Sequence, residues 1–208
     1  MFLTYAIAVV VALTIHEFAH AFIAHKLGDN TAKLQGRMSL NPVVHFDIVG
    51  ILCFLFLGFG WAKPVPINAY NFKNIKRDTF LVSISGIVAN LILAVIFCPL
   101  SIVFMGLGDS FVEFMFYALF TYLYQTNLVF MVFNLLPIGQ LDGFNALASQ
   151  LKYTNKYVQF MQRYGTYVML GVVLIFSLTN IFSYLVSYVG YPIEALWRLI
   201  LGKPLPVL

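Results

Sequence analysis

His16 and His20 stand four residues apart, with Glu17 directly after the first, in the run His16-Glu17-Phe18-Ala19-His20. On a helix, positions i and i+4 share a face about one turn apart, so two imidazoles can converge on one zinc ion. Glu17 projects near the same point and is placed to take a proton from water activated there. The run lies inside Phe2 to Leu27, a stretch that is otherwise almost wholly apolar. A charged side chain near the centre of a lipid-spanning helix costs about 2.5–3.5 kcal/mol on insertion scales. Three such polar side chains in one apolar helix therefore point to function.

Two histidines leave a catalytic zinc site one protein ligand short. Position 26, where a histidine would extend the pattern, holds Lys26, and no glutamate occurs between Phe18 and Val112. His25 is nine residues from His16, roughly 180° around the helix, and reads as an interfacial histidine. Among the acids, Asp142 follows a long apolar run and a break, in Asn134-Leu135-Leu136-Pro137-Ile138-Gly139-Gln140-Leu141-Asp142-Gly143. Pro137 cannot continue a helix without losing a backbone bond, Asn134 can satisfy backbone groups so freed, and the turn at Gly139 can direct Asp142 back toward the membrane. The alternative makes Asp142 the N-cap of a helix over Gly143 to Leu151.

The elements that must carry these residues are membrane elements. Of 208 residues, 61% are apolar and 10% charged, with a mean hydropathy of +0.88, against about 25% charged in an ordinary soluble domain. An ordinary soluble domain, a disordered chain and a nucleic-acid binder with a basic face are excluded. Cys53 and Cys98 both sit in apolar runs and imply no disulfide framework. Runs of roughly 20 apolar residues mark spans, and four qualify: Phe2 to Leu27, Phe80 to Leu107, Phe114 to Leu136 and Tyr164 to Val189. Ile48 to Trp61 is shorter and reads as a re-entrant or partly embedded segment. Thr31 to Leu40 reads as a short surface hairpin, and Ile193 to Ile200 as an interfacial helix with Trp197 and Arg198 at headgroup level. The expected fold is an all-α polytopic membrane protein with about four to six membrane segments, residues 1–208 forming one domain.

Basic residues gather at Lys26, Lys33 and Arg37; at Lys63, Lys73, Lys76 and Arg77; and at Lys152, Lys156 and Arg163. The Gly106 to Glu113 loop has none and carries Asp109 and Glu113. The positive-inside rule then puts the clusters in the cytoplasm and the N-terminus outside. His16 falls about 22 Å into its helix at 1.5 Å per residue, nearer the cytoplasmic side but within the membrane.

These motifs resemble those of the site-2 protease family of intramembrane zinc metalloproteases (M50). His16 to His20 resembles the zinc helix, Asn134 to Gly143 the NxxPxPxxDG motif, and Ser85-Gly86-Ile87-Val88-Ala89-Asn90 the GxxxN segment of the core helix. Asn41-Pro42, His45, Asp47 and the stretch from Trp61 to Pro66 look like the compact bacterial branch, which lacks PDZ and CBS domains. Two positions depart from the family pattern: Gly139 replaces the second proline of the loop motif, and Ile87 replaces a proline after the core-helix glycine. The resemblance implies one zinc ion per chain, ligated by His16, His20 and Asp142, with Glu17 as general base. It also implies an Asn90 near the site, where helix packing of Ser83, Gly86 and Asn90 is an equal reading. Asn134 and His45 are candidate accessory or substrate-binding residues; His45 and Asp47 read equally well as interfacial loop residues.

The implied reaction is hydrolysis of peptide bonds in membrane-embedded protein substrates, by a multi-pass protein of the bacterial cell membrane. Two rivals remain: a zinc-binding homologue that does not cleave, and a metal or proton transporter. A transporter needs a continuous polar path, and Gln125 and Asn127 are the residues to watch for one.

Overall fold

A computed structural model describes residues 1–50, 62–105 and 110–204. Among the described residues the chain is helical and has no strand. Helix α1 is Phe2–Lys26, the short α2 is Thr31–Leu34, α3 is Ile75–Met105 and α4 is Phe111–Leu135. Then come α5, Asp142–Gln150, α6, Lys156–Leu178, and α7, Ile181–Ile200. Four of them, α1, α3, α4 and α6, are long and apolar enough to cross a membrane. The protein is a polytopic all-α membrane protein.

Local signals explain where the helices begin. The Ser110 side chain accepts from the Glu113 N–H, and the Glu113 carboxylate accepts from the Ser110 N–H, a capping box that starts α4. At the head of α3, Asn74 accepts from the Arg77 N–H while Asp78 accepts from the Asn74 N–H. This cap moves the start of α3 five residues ahead of the expected Phe80. Asp78, which stands beside Lys76 and Arg77 in the sequence, is therefore buried in a first helical turn.

Other expectations are corrected. The run from Tyr164 to Val189 is not one span: it divides at Thr179-Asn180 into α6 and α7. Ser177 and Thr179 donate their hydroxyls to the carbonyls of Leu174 and Ile175, and Thr179 turns to extended backbone. Such side-chain bonds compete with helix continuation. Ile193 to Ile200 is not a separate interfacial helix but the second half of α7, and Trp197 packs on the core. Within Thr31 to Leu40, Thr31–Leu34 forms a helical turn and no hairpin is present. Most of the Ile48 to Trp61 segment, and Asp109, lie outside the described residues.

The core is the seam between α3 and α4. Ile87, Ala94, Cys98 and Ile102 of α3 meet Tyr124, Leu128, Met131 and Val132 of α4. Phe182, Val186, Val189 and Ile193 of α7 cover that seam, where Gly190 lies against Leu128 and Tyr124. Helix α1 packs on both α3 and α4. The stretch between α1 and α3 is tied down at buried Asp29, whose carboxylate accepts from Thr31, the Asn68 N–H and the Asn71 amide. Burial pushes that carboxyl up, but these bonds outweigh it and hold it below the usual carboxylate range.

Candidate metal centre

The last turns of α1, the first turns of α3 and the last turns of α4 meet at one end of the bundle, and the polar residues of α1 face inward there. His16 and His20 are buried, 5% and 6% exposed. Their approach to α3 depends on Gly86: a Cβ at that position would stand 2.5 Å from atoms of both imidazoles. Any larger residue would force the helices apart.

The ring orientations follow from acceptors that cannot donate. His20 Nδ1 lies 2.8 Å from the Val82 carbonyl oxygen, so Nδ1 carries the proton. His16 Nδ1 lies 2.6 Å from Asn90 Oδ1. Asn90 donates its amide to the Ala12 carbonyl and to Asn127 Oδ1, which fixes its oxygen toward His16. As neutral imidazoles both histidines thus keep an Nε2 lone pair, and the two Nε2 atoms are 3.1 Å apart.

Asp142 completes the cluster. It does not cap α5: the N-cap is Leu141, without a side-chain bond. Its Oδ2 lies 3.0 Å from His16 Nε2 and 3.1 Å from His20 Nε2. Gly143 makes this possible, since a Cβ there would collide with the Leu135 carbonyl. Gly139 turns the loop at φ +61° and touches Gly165 of α6, where a Cβ would stand 2.6 Å from Gly139 Cα. Tyr157 donates its hydroxyl to the Pro137 carbonyl on the same loop.

Three atoms able to ligate therefore converge, and among the described residues this is the one cluster of three able to hold a metal ion. Tetrahedral ligands about 2.0–2.1 Å from a zinc ion stand about 3.3 Å from one another. The observed spacing, 3.0 to 3.1 Å, fits that donor set.

Glu17 is partly exposed, and its Oε2 accepts from the Val65 N–H at 3.2 Å. Val65 belongs to a non-helical stretch, Ala62 to Ile67, that is pinned from two sides. The Lys63 N–H bonds the His45 carbonyl at 2.9 Å, and the buried Arg37 donates to the Lys63 carbonyl. His45 is fully buried and bonds the Ser39 carbonyl through Nε2, so it braces this stretch. Asp47 accepts from the Gly50 N–H. Asn134 donates to the Phe130 carbonyl of its own helix and has no bond to the cluster. His25 faces Asn30 and Lys33, away from it. Asn127 and Val65 were not placed near the metal by the sequence: their links to the site are hydrogen bonds between elements, without a local pattern.

The chain is similar to "Putative zinc metalloprotease YwhC" of Bacillus subtilis, 44% identical over 144 residues, 68% of this chain and 66% of that protein. The chain belongs to the site-2 protease family. Within it, "Putative zinc metalloprotease Rip2" of Mycobacterium tuberculosis is 31% identical over 156 residues, 68% of this chain and 55% of that one. Rip2 of Mycolicibacterium smegmatis is 29% identical over 145 residues, 67% of this chain and 54% of its own length. The chain thus matches about half to two thirds of these relatives' lengths. No family model matches the chain, and no solved structure does.

Proposed function

We propose that this chain is a zinc endopeptidase that cleaves membrane-embedded protein substrates, with residues 1–208 acting as one domain. The observation that carries the reading is the convergence of His16, His20 and Asp142 beside Glu17. In this reading the three hold the metal and Glu17 is the general base. Zinc supplies Lewis acidity at the scissile carbonyl and lowers the pKa of water toward about 7. Glu17 receives the proton of the attacking water and delivers it to the leaving amine, so that one carboxylate serves both halves of hydrolysis. The Val65 N–H orients that carboxylate.

A helical substrate hides its carbonyls in i to i−4 bonds and must unwind before attack. The described parts of the stretch from Thr31 to Pro66, residues 31–50 and 62–66, receive the unwound segment through main-chain hydrogen bonds. A crosslinking scan with no substrate contact anywhere in that stretch removes this step. Lys26, Lys73, Lys76 and Lys156 lie toward the cluster's end of the bundle, so positive-inside sorting sets the site toward the cytoplasm of a bacterial cell and the N-terminus outside.

The test is Glu17→Gln. The variant keeps its zinc and loses cleavage, because Glu17 transfers protons and does not ligate. Membrane proteins that persist uncut only in cells expressing the variant are the substrates. Undiminished turnover in Glu17→Gln ends the mechanism, and equal membrane proteomes for variant and wild type favour a homologue that binds zinc without cleaving.

A further inference from the structure

We propose that Asn127, on α4, is a positioning residue of the metal centre, acting through Asn90 on His16. The proposal rests on the reading that His16 is a zinc ligand.

Asn127 and Asn90 are both fully buried. The hydrogen bonds between them run in one direction. His16 donates Nδ1–H to Asn90 Oδ1 at 2.6 Å, Asn90 donates Nδ2–H to Asn127 Oδ1 at 2.8 Å, and Asn127 donates to the Leu123 carbonyl at 2.8 Å. Carbonyls can only accept, so Leu123 and Ala12 fix both amide orientations. If the Asn127 amide were reversed, its NH2 would face the NH2 of Asn90. The chain therefore has one arrangement, and that arrangement presents an acceptor to His16 Nδ1–H. It leaves the Nε2 lone pair for the cluster.

His20 is oriented by the Val82 backbone carbonyl, which a helix holds rigidly. His16 instead depends on a side-chain amide that can rotate. Asn90 Nδ2 reaches two acceptors, Ala12 in α1 and Asn127 in α4, and holding both protons stops that rotation. Asn127 is thus where α4, which carries no ligand itself, contributes to the metal. Outer partners of ligating histidines are worth 10- to 100-fold in metal affinity, and a residue one step further out belongs at the low end.

The experiment measures zinc dissociation constants of the full chain in detergent, by competition with a chromogenic chelator. It also measures the visible bands of the cobalt-substituted protein, which report ligand geometry. Asn127→Ser can still bond the Leu123 carbonyl but is too short to reach Asn90. Its zinc dissociation constant rises about 10-fold and its cobalt bands shift. Asn127→Leu behaves alike and is read where the serine variant does not fold. Asn127→Asp, neutral when buried in the membrane, keeps both bonds and the wild-type affinity. In an Asn90→Ala background, Asn127→Ser adds no further loss. Wild-type affinity and unshifted bands in the serine or leucine variant overturn the proposal, as does a fully additive loss with Asn90→Ala. A His16→Ala variant that binds zinc like wild type removes the metal reading instead.

Discussion

His20 faces a backbone carbonyl and His16 an amide oxygen, so each imidazole has one nitrogen committed and one left over. The same reasoning bears on what Asp142 is for. A helix cap would accept a backbone N–H, but this carboxylate sits 3.0 and 3.1 Å from two imidazole nitrogens. If Asp142 is a ligand, Asp142→Ala loses zinc and cleavage, and Asp142→Ser restores neither. If it acted as a cap, the alanine change would cost about 0.5–2 kcal/mol of stability and serine would recover it. Metal analysis of both purified variants separates the cases, and full zinc occupancy with normal activity in Asp142→Ser shows the third ligand to be misassigned. At this scale the sequence was legible where chemistry is local. His16, Glu17 and His20 share one helical turn, and spacing alone sets them together. Asp142 lies 122 residues beyond His20, so spacing left its role open and the family resemblance supplied it.

Elements bring the rest to the site, and proline decides what one of them offers. Pro64 and Pro66 have no N–H, which leaves Val65 as the single donor of that tripeptide, and its bond goes to Glu17. Val65→Pro deletes this donor, and the extended backbone that Pro66 already imposes on Val65 is retained. A hydrogen bond to a charged group is worth about 1.5–3 kcal/mol, so turnover falls roughly 10- to 100-fold while zinc content stays at the wild-type level. Val65→Ala, with its N–H intact, turns over normally. Steady-state kinetics with metal analysis checks all three; normal turnover in Val65→Pro shows that Glu17 does not need the bond. Helix positions were legible from apolar length, but the division at Thr179-Asn180 was not. Ser177 and Thr179 are tolerated inside helices, and only their bonds to the carbonyls of Leu174 and Ile175 reveal that they close one. The start of α3 was missed for a related reason: charged Lys76, Arg77 and Asp78 look like loop, yet Asn74 and Asp78 cap one another's turn.

Across the whole molecule, α1, α3 and α4 bring their polar residues to one end, the end where Lys26, Lys73 and Lys76 also lie. This predicts sidedness. In a chain freed of Cys53 and Cys98, single cysteines at positions 73 and 156 are labelled by an impermeant reagent from the cytoplasm. A cysteine at position 112, before the body of α4, is labelled from outside. Labelling of position 112 from the cytoplasm alone reverses the orientation. The long separation between the parts of the centre also has a consequence in time. Chains are made from the N-terminus at about 5–20 residues per second, so α1 is delivered to the membrane first, carrying His16, Glu17 and His20. The carbonyl that orients His20, the amide that orients His16 and the carboxylate between them come from residues 82, 90 and 142. For several seconds of synthesis the first helix has none of these partners, and a half-made chain has no complete centre. On the proposed function, a nascent chain of this design cannot cut its neighbours at the insertion machinery, because the cluster forms only after α4 has been made and the loop beyond it has turned back.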